Sequence, residues 1–339
     1  MKKSKKVLLL IVSVITSLVI AGCSSSSSSG EAEGKKMNLK MSITVGNTST
    51  WYEAAEKFAE EVKAETDGRI TINLFPNEQL SGGDSGKGVE LLVKGTTDFS
   101  YHSTIIYSIL NERLGVVSAP FLFKDLNEVD AKLNGEAGEE IKKVLREIGV
   151  EPLGFGQNGF RQLTNSNVEV KAPEDLQGLK VRIPGIKMYT DLWKQFGADP
   201  TTMTFSEVFT SLQQGTIDGQ ENPIDVINSS KLNEVQDHIT MWNYSYDPLI
   251  LGMNKKKFDS LSKEDQAIIQ KAADNANAYQ IELAREKEEE QIAELKEAGM
   301  QFYYPTEEEL TKFKEASQPI YDQYKDVWGA DLLEAFQNE

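Results

Sequence analysis

The sequence predicts an α/β protein built as two lobes. Three observations carry this. Strand-like and helix-like stretches alternate from the first folded residues onward. A short motif at a helix end occurs once in each half of the chain. The folded part, about 300 residues, is also longer than one hydrophobic core ordinarily serves.

The elements follow in order. Leu39 to Val45 alternates as a strand, and Thr50 to Thr66 repeats apolar residues at helical spacing through Ala54, Ala55, Phe58, Ala59 and Val62. Thr66-Asp67-Gly68 stops that helix and Arg69 to Phe75 alternates again. After a glycine-rich loop a helix is expected over Ser85 to Lys94, ended by Gly95, and a strand over Thr97 to His102. The repeated motif lies here. Gly95-Thr96-Thr97-Asp98 is echoed by Gly215-Thr216-Ile217-Asp218, each with a leucine three residues before its glycine. A glycine suits the left-handed position that closes a helix. Two lobes of similar build produce such an echo. The second strand runs on to Asn222, where Pro223 stops it. Ser262-x-x-Asp265 is an acidic variant of the capping box, and no proline or glycine intervenes before Gly299. A helix of that length is on the order of 55 Å long, more than one lobe, so it is expected to bridge both.

The N-terminal residues speak for export. Lys2, Lys3, Lys5 and Lys6 precede an apolar run from Val7 to Ile20, too short for a good membrane span but suited to a signal segment. Ile20-Ala21-Gly22-Cys23 matches a bacterial lipobox, in which Cys23 is acylated. Each buried methylene of such a chain adds ~0.8 kcal/mol of membrane affinity. Ser24 to Ser29 and Gly30 read as a flexible tether. We expect a lipoprotein signal peptide over 1–22 and a tether over 23–37. One lobe is expected from 38–158 and 247–286, the other from 159–246 and 287–339 with the C-terminal helices.

Composition narrows the chemistry. The formal net charge of −17 disfavours nucleic acid as a partner. One cysteine excludes an intramolecular disulfide, and two histidines exclude a histidine-rich metal site. No cofactor and no metal are expected. The Glu286 to Glu290 charge cluster reads as a solvated helix face. Ser81 to Gly88 invites a phosphate-loop reading but lacks the required first glycine and final hydroxyl, so it is read as a strand-to-helix loop. No nucleophile elbow, zinc-protease or dinucleotide motif occurs. An enzyme acting on its ligand would need an acid or base near the site, and no histidine lies nearby in sequence.

The informative segment is 154–225, and Arg182 is its centre. Leu179, Val181 and Ile183 alternate as a buried face, so Lys180 and Arg182 point the other way. Pro184 ends the strand, which puts Arg182 at its carboxyl end, where open α/β sheets bind ligands. The planar guanidinium matches a carboxylate bidentately. An acidic protein that takes an anion needs such a local cation. The competing reading is a solvated surface arginine.

Taken together, Asn158-Gly-Phe-Arg-Gln-Leu-Thr-Asn165, Pro173-Glu-Asp-Leu-Gln-Gly-Leu-Lys-Val-Arg-Ile-Pro184 and Phe205-Ser-Glu-Val208 through Gln220-Glu-Asn-Pro223 are a specific series. With Pro120-Phe-Leu-Phe123 and the long helix, they resemble the periplasmic substrate-binding subunits of TRAP transporters, of the DctP type. The resemblance covers nearly all of the chain after the tether. It implies a periplasmic-binding-protein-like α/β fold, with mixed sheets, an interlobe cleft and a long bridging C-terminal helix. It implies that Arg182 pairs with a ligand carboxylate, that Arg161 assists, that Asn222 hydrogen-bonds the ligand and that Phe205 packs on it. Each has an alternative. The alternatives are that Arg161 braces the hinge by a structural ion pair, that Asn222 caps a turn before Pro223 and that Phe205 belongs to the core. Trp51, Tyr101, His102 and Ser103 lie near expected strand ends and are candidates for the cleft lining, whereas Trp193 and Trp242 read as core. Sialic-acid-binding members resemble this region but carry an acid where Ser103 stands, which argues against sialic acid.

The resemblance further implies a monomer that captures an organic acid and delivers it to large and small membrane subunits, held to the membrane by its lipid. A sugar acid such as a hexuronate is favoured over a C4-dicarboxylate. A ligand-presenting protein for a sensor or chemoreceptor is the alternative role.

Overall fold

The computed structural model describes residues 35–337. The expected signal segment, Cys23 and most of the tether lie outside the described residues.

Eleven strands form two sheets among the described residues. In chain order they are β1 (Met37–Ile43), β2 (Ile70–Phe75), β3 (Phe99–Ser103), β4 (Val150–Phe160), β5 (Gln162–Asn165), β6 (Lys180–Ile183), β7 (Asp199–Thr202), β8 (Gly219–Asn222), β9 (His238–Thr240), β10 (Tyr246–Asn254) and β11 (Gln301–Tyr303). The first sheet has the order β2-β1-β3-β10-β4 and the second β11-β9-β5-β8-β6-β7. Both are mixed. In the first, β1 runs parallel to β2 and β3 while β10 is antiparallel to β3 and β4. In the second, β6 is parallel to β7 and β8, and β5 is antiparallel to β8 and β9. The α/β class with two mixed sheets is as the sequence predicts.

The chain passes between the sheets at Arg161, between β4 and β5, and returns near Ser245, just before β10. These crossings lie side by side, with the Arg161 N–H donating to the Ser245 carbonyl at 2.8 Å.

The repeated motif has a structural counterpart. Gly95 and Gly215 both take left-handed φ values, 75° and 67°. Each leads to an aspartate that bonds the backbone of the neighbouring parallel strand. Asp98 accepts from the Lys40 N–H and Asp218 from the Lys180 N–H, both at 2.9 Å. The same two aspartates donate their own N–H groups back to Lys40 and Lys180. The same helix-turn-strand arrangement occurs once in each sheet.

The long helix is Lys263–Glu297, 35 residues, with Ser262 as the cap that accepts from the Asp265 N–H. It bridges as expected. Ile269, Ala272, Ala273 and Ala276 pack with the first sheet and the helix Thr50–Glu65, while Leu295 joins the core under the second sheet. The helix Glu307–Trp328 also serves both halves, meeting the helix Lys187–Gln195 on one side and the turn Glu112–Ser118 on the other. The last helix, Ala330–Gln337, packs on Glu136–Glu147, beside the first sheet. Trp193 and Trp242 are core. They sit with Phe196, Tyr244 and Phe313 in an aromatic cluster with mostly edge-to-face contacts, 4.8–6.1 Å between centroids.

The β5–β8 pairing leaves no room for a side chain at Gly219, where an added Cβ would stand 2.4 Å from the Thr164 carbonyl oxygen. Gly219→Ala is expected to destabilise the protein by about 1–3 kcal/mol through this overpacking, read from the urea midpoint.

Candidate functional site

A cavity of about 260 Å³ lies between the two sheets. Its walls come from the carboxyl ends of β1, β3, β6, β7 and β8, the chain crossing at Arg161, and the first turns of two helices, Thr50–Glu65 and Ser85–Lys94. Of the residues singled out from sequence, Arg182, Arg161, Asn222, Phe205, Ser103 and Trp51 line it. Tyr101 and His102 do not. The Tyr101 hydroxyl donates to Asn277 of the long helix, and His102 faces away from the cavity to pair with buried Glu78. Only the last residue of β3, Ser103, reaches the opening.

The two arginines differ in their surroundings. Arg161, 3% exposed, is surrounded by acceptors. Its Nε and Nη2 donate to the Glu221 carboxylate, and its Nη1 to Asp247 Oδ2 at 3.1 Å. Nη2 also reaches Asn222 Oδ1 at 3.1 Å. Burial alone would lower its pKa, but Glu221 and Asp247 raise it well above the ordinary arginine value. Glu221 additionally accepts from the Tyr244 hydroxyl, and Asp247 from Ser103 and Asn158. Burial pushes the Asp247 pKa up, opposed by Arg161 and these donors. Since Glu221 belongs to β8 and Asp247 to β10, Arg161 ties the two sheets together where the chain crosses. The bracing role left open by the sequence is present in the geometry.

Arg182 is 4% exposed and has no such partner. Its Nε and Nη2 donate to the Met203 carbonyl at 3.2 and 2.9 Å, and its guanidinium carbon lies 5.8 Å from the centre of the Phe205 ring. No carboxylate pairs with it. Burial lowers its pKa to about 10, partly offset by the more distant Glu221, so it stays charged at neutral pH. Among the described residues three basic side chains are buried, Arg161, Arg182 and His102, and only Arg182 lacks a carboxylate. An unpaired buried charge costs several kcal/mol. A guanidinium in this state is free to pair with an incoming carboxylate.

Asn222 has both ends of its amide engaged, with Arg161 and with Gln220 Oε1 at 2.6 Å. The Trp51 indole N–H and Asn158 Oδ1 are buried without a partner.

Sequence reasoning missed several wall residues. Asp247 is one, though an acid in the otherwise apolar Tyr246–Met253 stretch is a signal. Glu221, which pairs with Arg161 but does not line the cavity, was missed as well, although it stands next to Asn222 in the same motif. Asp84, Ser85 and Gly86 also line the cavity, from the glycine-rich loop to which no role was given. Gly83 in that loop has φ 89°, and its carbonyl accepts from the Ser206 hydroxyl across the opening at 3.1 Å. Glu78 anchors the loop from below, accepting from Ser42, Thr44 and Ser81 and pairing with His102.

With this geometry in place, the comparisons are decisive. Residues 41–326 match the family described as bacterial extracellular solute-binding protein, family 7, DctP. The chain belongs to this family. It is 35% identical to the 2,3-diketo-L-gulonate-binding periplasmic protein YiaO of Escherichia coli, over 95% of this chain and 97% of that one. A TRAP periplasmic solute-binding protein from Ralstonia eutropha, solved with bound (S)-2-acetolactate, superposes with a TM-score of 0.86 at 34% identity, covering 89% of this chain and 99% of that one. The sugar-acid-binding protein DctPAm from Advenella mimigardefordensis, solved with galactonate, gives 0.86 at 31% identity, covering 89% and 97%. This chain is therefore an exported solute-binding protein of the TRAP class, and its named relatives are binding proteins rather than enzymes.

Two outcomes follow for this solute-binding protein. Glu221→Gln removes the two-pronged partner of Arg161 and leaves Asp247 as its one carboxylate, and is expected to cost about 1–3 kcal/mol of stability in urea denaturation. Glu78 is held down to about 2 from 4.5; burial works against this, but His102, Ser81 and Thr44 outweigh it. A depressed carboxylate adds stability above its unfolded pKa and loses it as pH falls through the folded one. The urea midpoint should therefore fall between about pH 4.5 and 2, and Glu78→Gln should flatten that limb.

Proposed function

We propose that this protein captures a small organic acid, a sugar acid such as a hexuronate being the favoured class, with Arg182 pairing with its carboxylate. The observation that carries the reading is the buried, carboxylate-free guanidinium of Arg182 in the wall of an interlobe cavity. A charge-assisted bond to a ligand carboxylate contributes about 1.5–3 kcal/mol and relieves the unmatched charge. Phe205 and Trp51 offer faces to the ligand body, and Ser103, Asn158 and Asn222 frame it with polar groups. Relatives bound to galactonate and to D-erythronate support a hydroxylated acid. Closure is a hinge motion about the crossings at Arg161 and Ser245. The loaded protein, a monomer, then passes its ligand to the TRAP membrane subunits. The lipobox ending at Cys23 supports anchoring to the membrane by lipid, with the Ser24 to Ser29 tract as tether.

The test is a thermal-shift screen with D-galacturonate, D-galactonate, D-erythronate and the neutral sugar D-galactose. An acid at about 100 times its Kd stabilises by about 2.7 kcal/mol. Arg182→Met should abolish that shift while the empty protein melts no lower than wild type, because a buried unmatched charge has been replaced by an apolar chain of similar length. If D-galactose shifts the melting point and none of the acids does, the reading is wrong.

A further inference from the structure

We propose that the cavity admits one carboxylate only, and that Asp84 enforces this by filling the second place where an anion would settle. The inference rests on Arg182 as the carboxylate anchor and specifies what the rest of the ligand is.

The charges in the cavity wall leave one vacancy. Four ionisable side chains line it, Asp84, Arg161, Arg182 and Asp247. Arg161 is committed to Glu221 and Asp247, and Asp247 in turn to Arg161, Ser103 and Asn158. Arg182 alone has charge to spare. A second ligand carboxylate would find no free cation. Part of the wall is apolar, formed by Ile105, Ile106 and Ile109. An adjoining cavity of about 230 Å³ shares Thr44, Ser85 and Phe205 with the first, contains no lysine or arginine, and carries Glu78.

One other feature attracts anions. The helix Ser85–Lys94 points its N-terminus at the cavity, and Ser85 and Gly86 line it. The free N–H groups and the helix dipole at such an end favour negative charge. Here that place is taken. Asp84 caps the helix, with Oδ1 accepting from the Lys87 N–H at 3.0 Å. A second carboxylate arriving there meets a carboxylate. Like charges brought together across a binding site cost several kcal/mol. The ligand is therefore a monocarboxylic acid whose remainder is uncharged. Aldonic and uronic acids fit this description. Aldaric acids and C4-dicarboxylates do not.

The substitution Asp84→Asn isolates the effect. Asparagine caps a helix as well as aspartate does, so the helix is retained while the charge goes and the dipole is left open to an anion. The experiment is calorimetric titration with chain-length-matched pairs: D-galactonate against galactarate, and D-erythronate against L-tartrate. Wild type should bind a monoacid at least about 100-fold more tightly than its paired diacid. Asp84→Asn should narrow that ratio to less than about 10-fold, with an unchanged thermal midpoint reporting the intact helix. A wild-type protein that binds either diacid as tightly as its partner overturns the proposal while leaving Arg182 as the anchor. A ratio unmoved by Asp84→Asn removes Asp84 from it. If no acid of either kind binds, the Arg182 reading itself falls.

Discussion

The ion pairs that Arg161 makes with Glu221 and Asp247 are the constraint on which the cleft depends. The chain changes sheets at this residue, and its side chain draws one carboxylate from each sheet to the same point. Tyr244, Ser103, Asn158 and Asn222 are hydrogen-bonded to members of the same network. Both carboxylates there are bonded to Arg161, and the neighbouring Arg182 is left as the cation in the wall that bonds no carboxylate. A second free acid beside it would turn Arg182 into another brace and remove the basis of the proposed anion binding. The two arginines thus differ in what has been withheld from one and supplied to the other.

Much of this was legible in the sequence, and the limits have physical reasons. Arg182 was readable because Leu179, Val181 and Ile183 set the strand phase and Pro184 marks its end. The paired glycine-threonine motifs were readable as helix ends leading into strands, as two lobes of similar α/β build produce, and the structure adds that their aspartates bond Lys40 and Lys180. The role of Arg161 stayed open because its acceptors lie 60 and 86 residues away in sequence. Pairing over such separations is decided by strand order, which local pattern does not encode. His102 and Tyr101 were placed at the cleft because they flank a strand end. Alternation sends His102 to Glu78, and Tyr101 lies too deep, against the long helix.

The glycine-rich loop was silent for another reason. Its residues work through backbone geometry. Asn77, Glu78, Gly82 and Gly83 all take positive φ values. Glu78 is a side chain with a demanding backbone, held there by three hydroxyl donors and His102. The strain is tolerated because the surrounding bonds over-determine it. What emerges is a loop whose carbonyl at Gly83 meets the opposite wall and whose Asp84 ends a helix at the cavity.

The short segment from Met203 to Ser206 joins features already described one by one. Its first carbonyl takes two hydrogen bonds from Arg182, its Phe205 ring lies beside that guanidinium, and its Ser206 hydroxyl grips Gly83 on the far side. Four residues thus connect the buried charge to the rim of the cleft. If Arg182 takes a ligand carboxylate as proposed, the ligand competes with the Met203 carbonyl for the guanidinium, and the same four residues are placed to carry that change to the rim. Under that reading a receptor touching the rim alone would sense a loaded molecule without meeting the ligand.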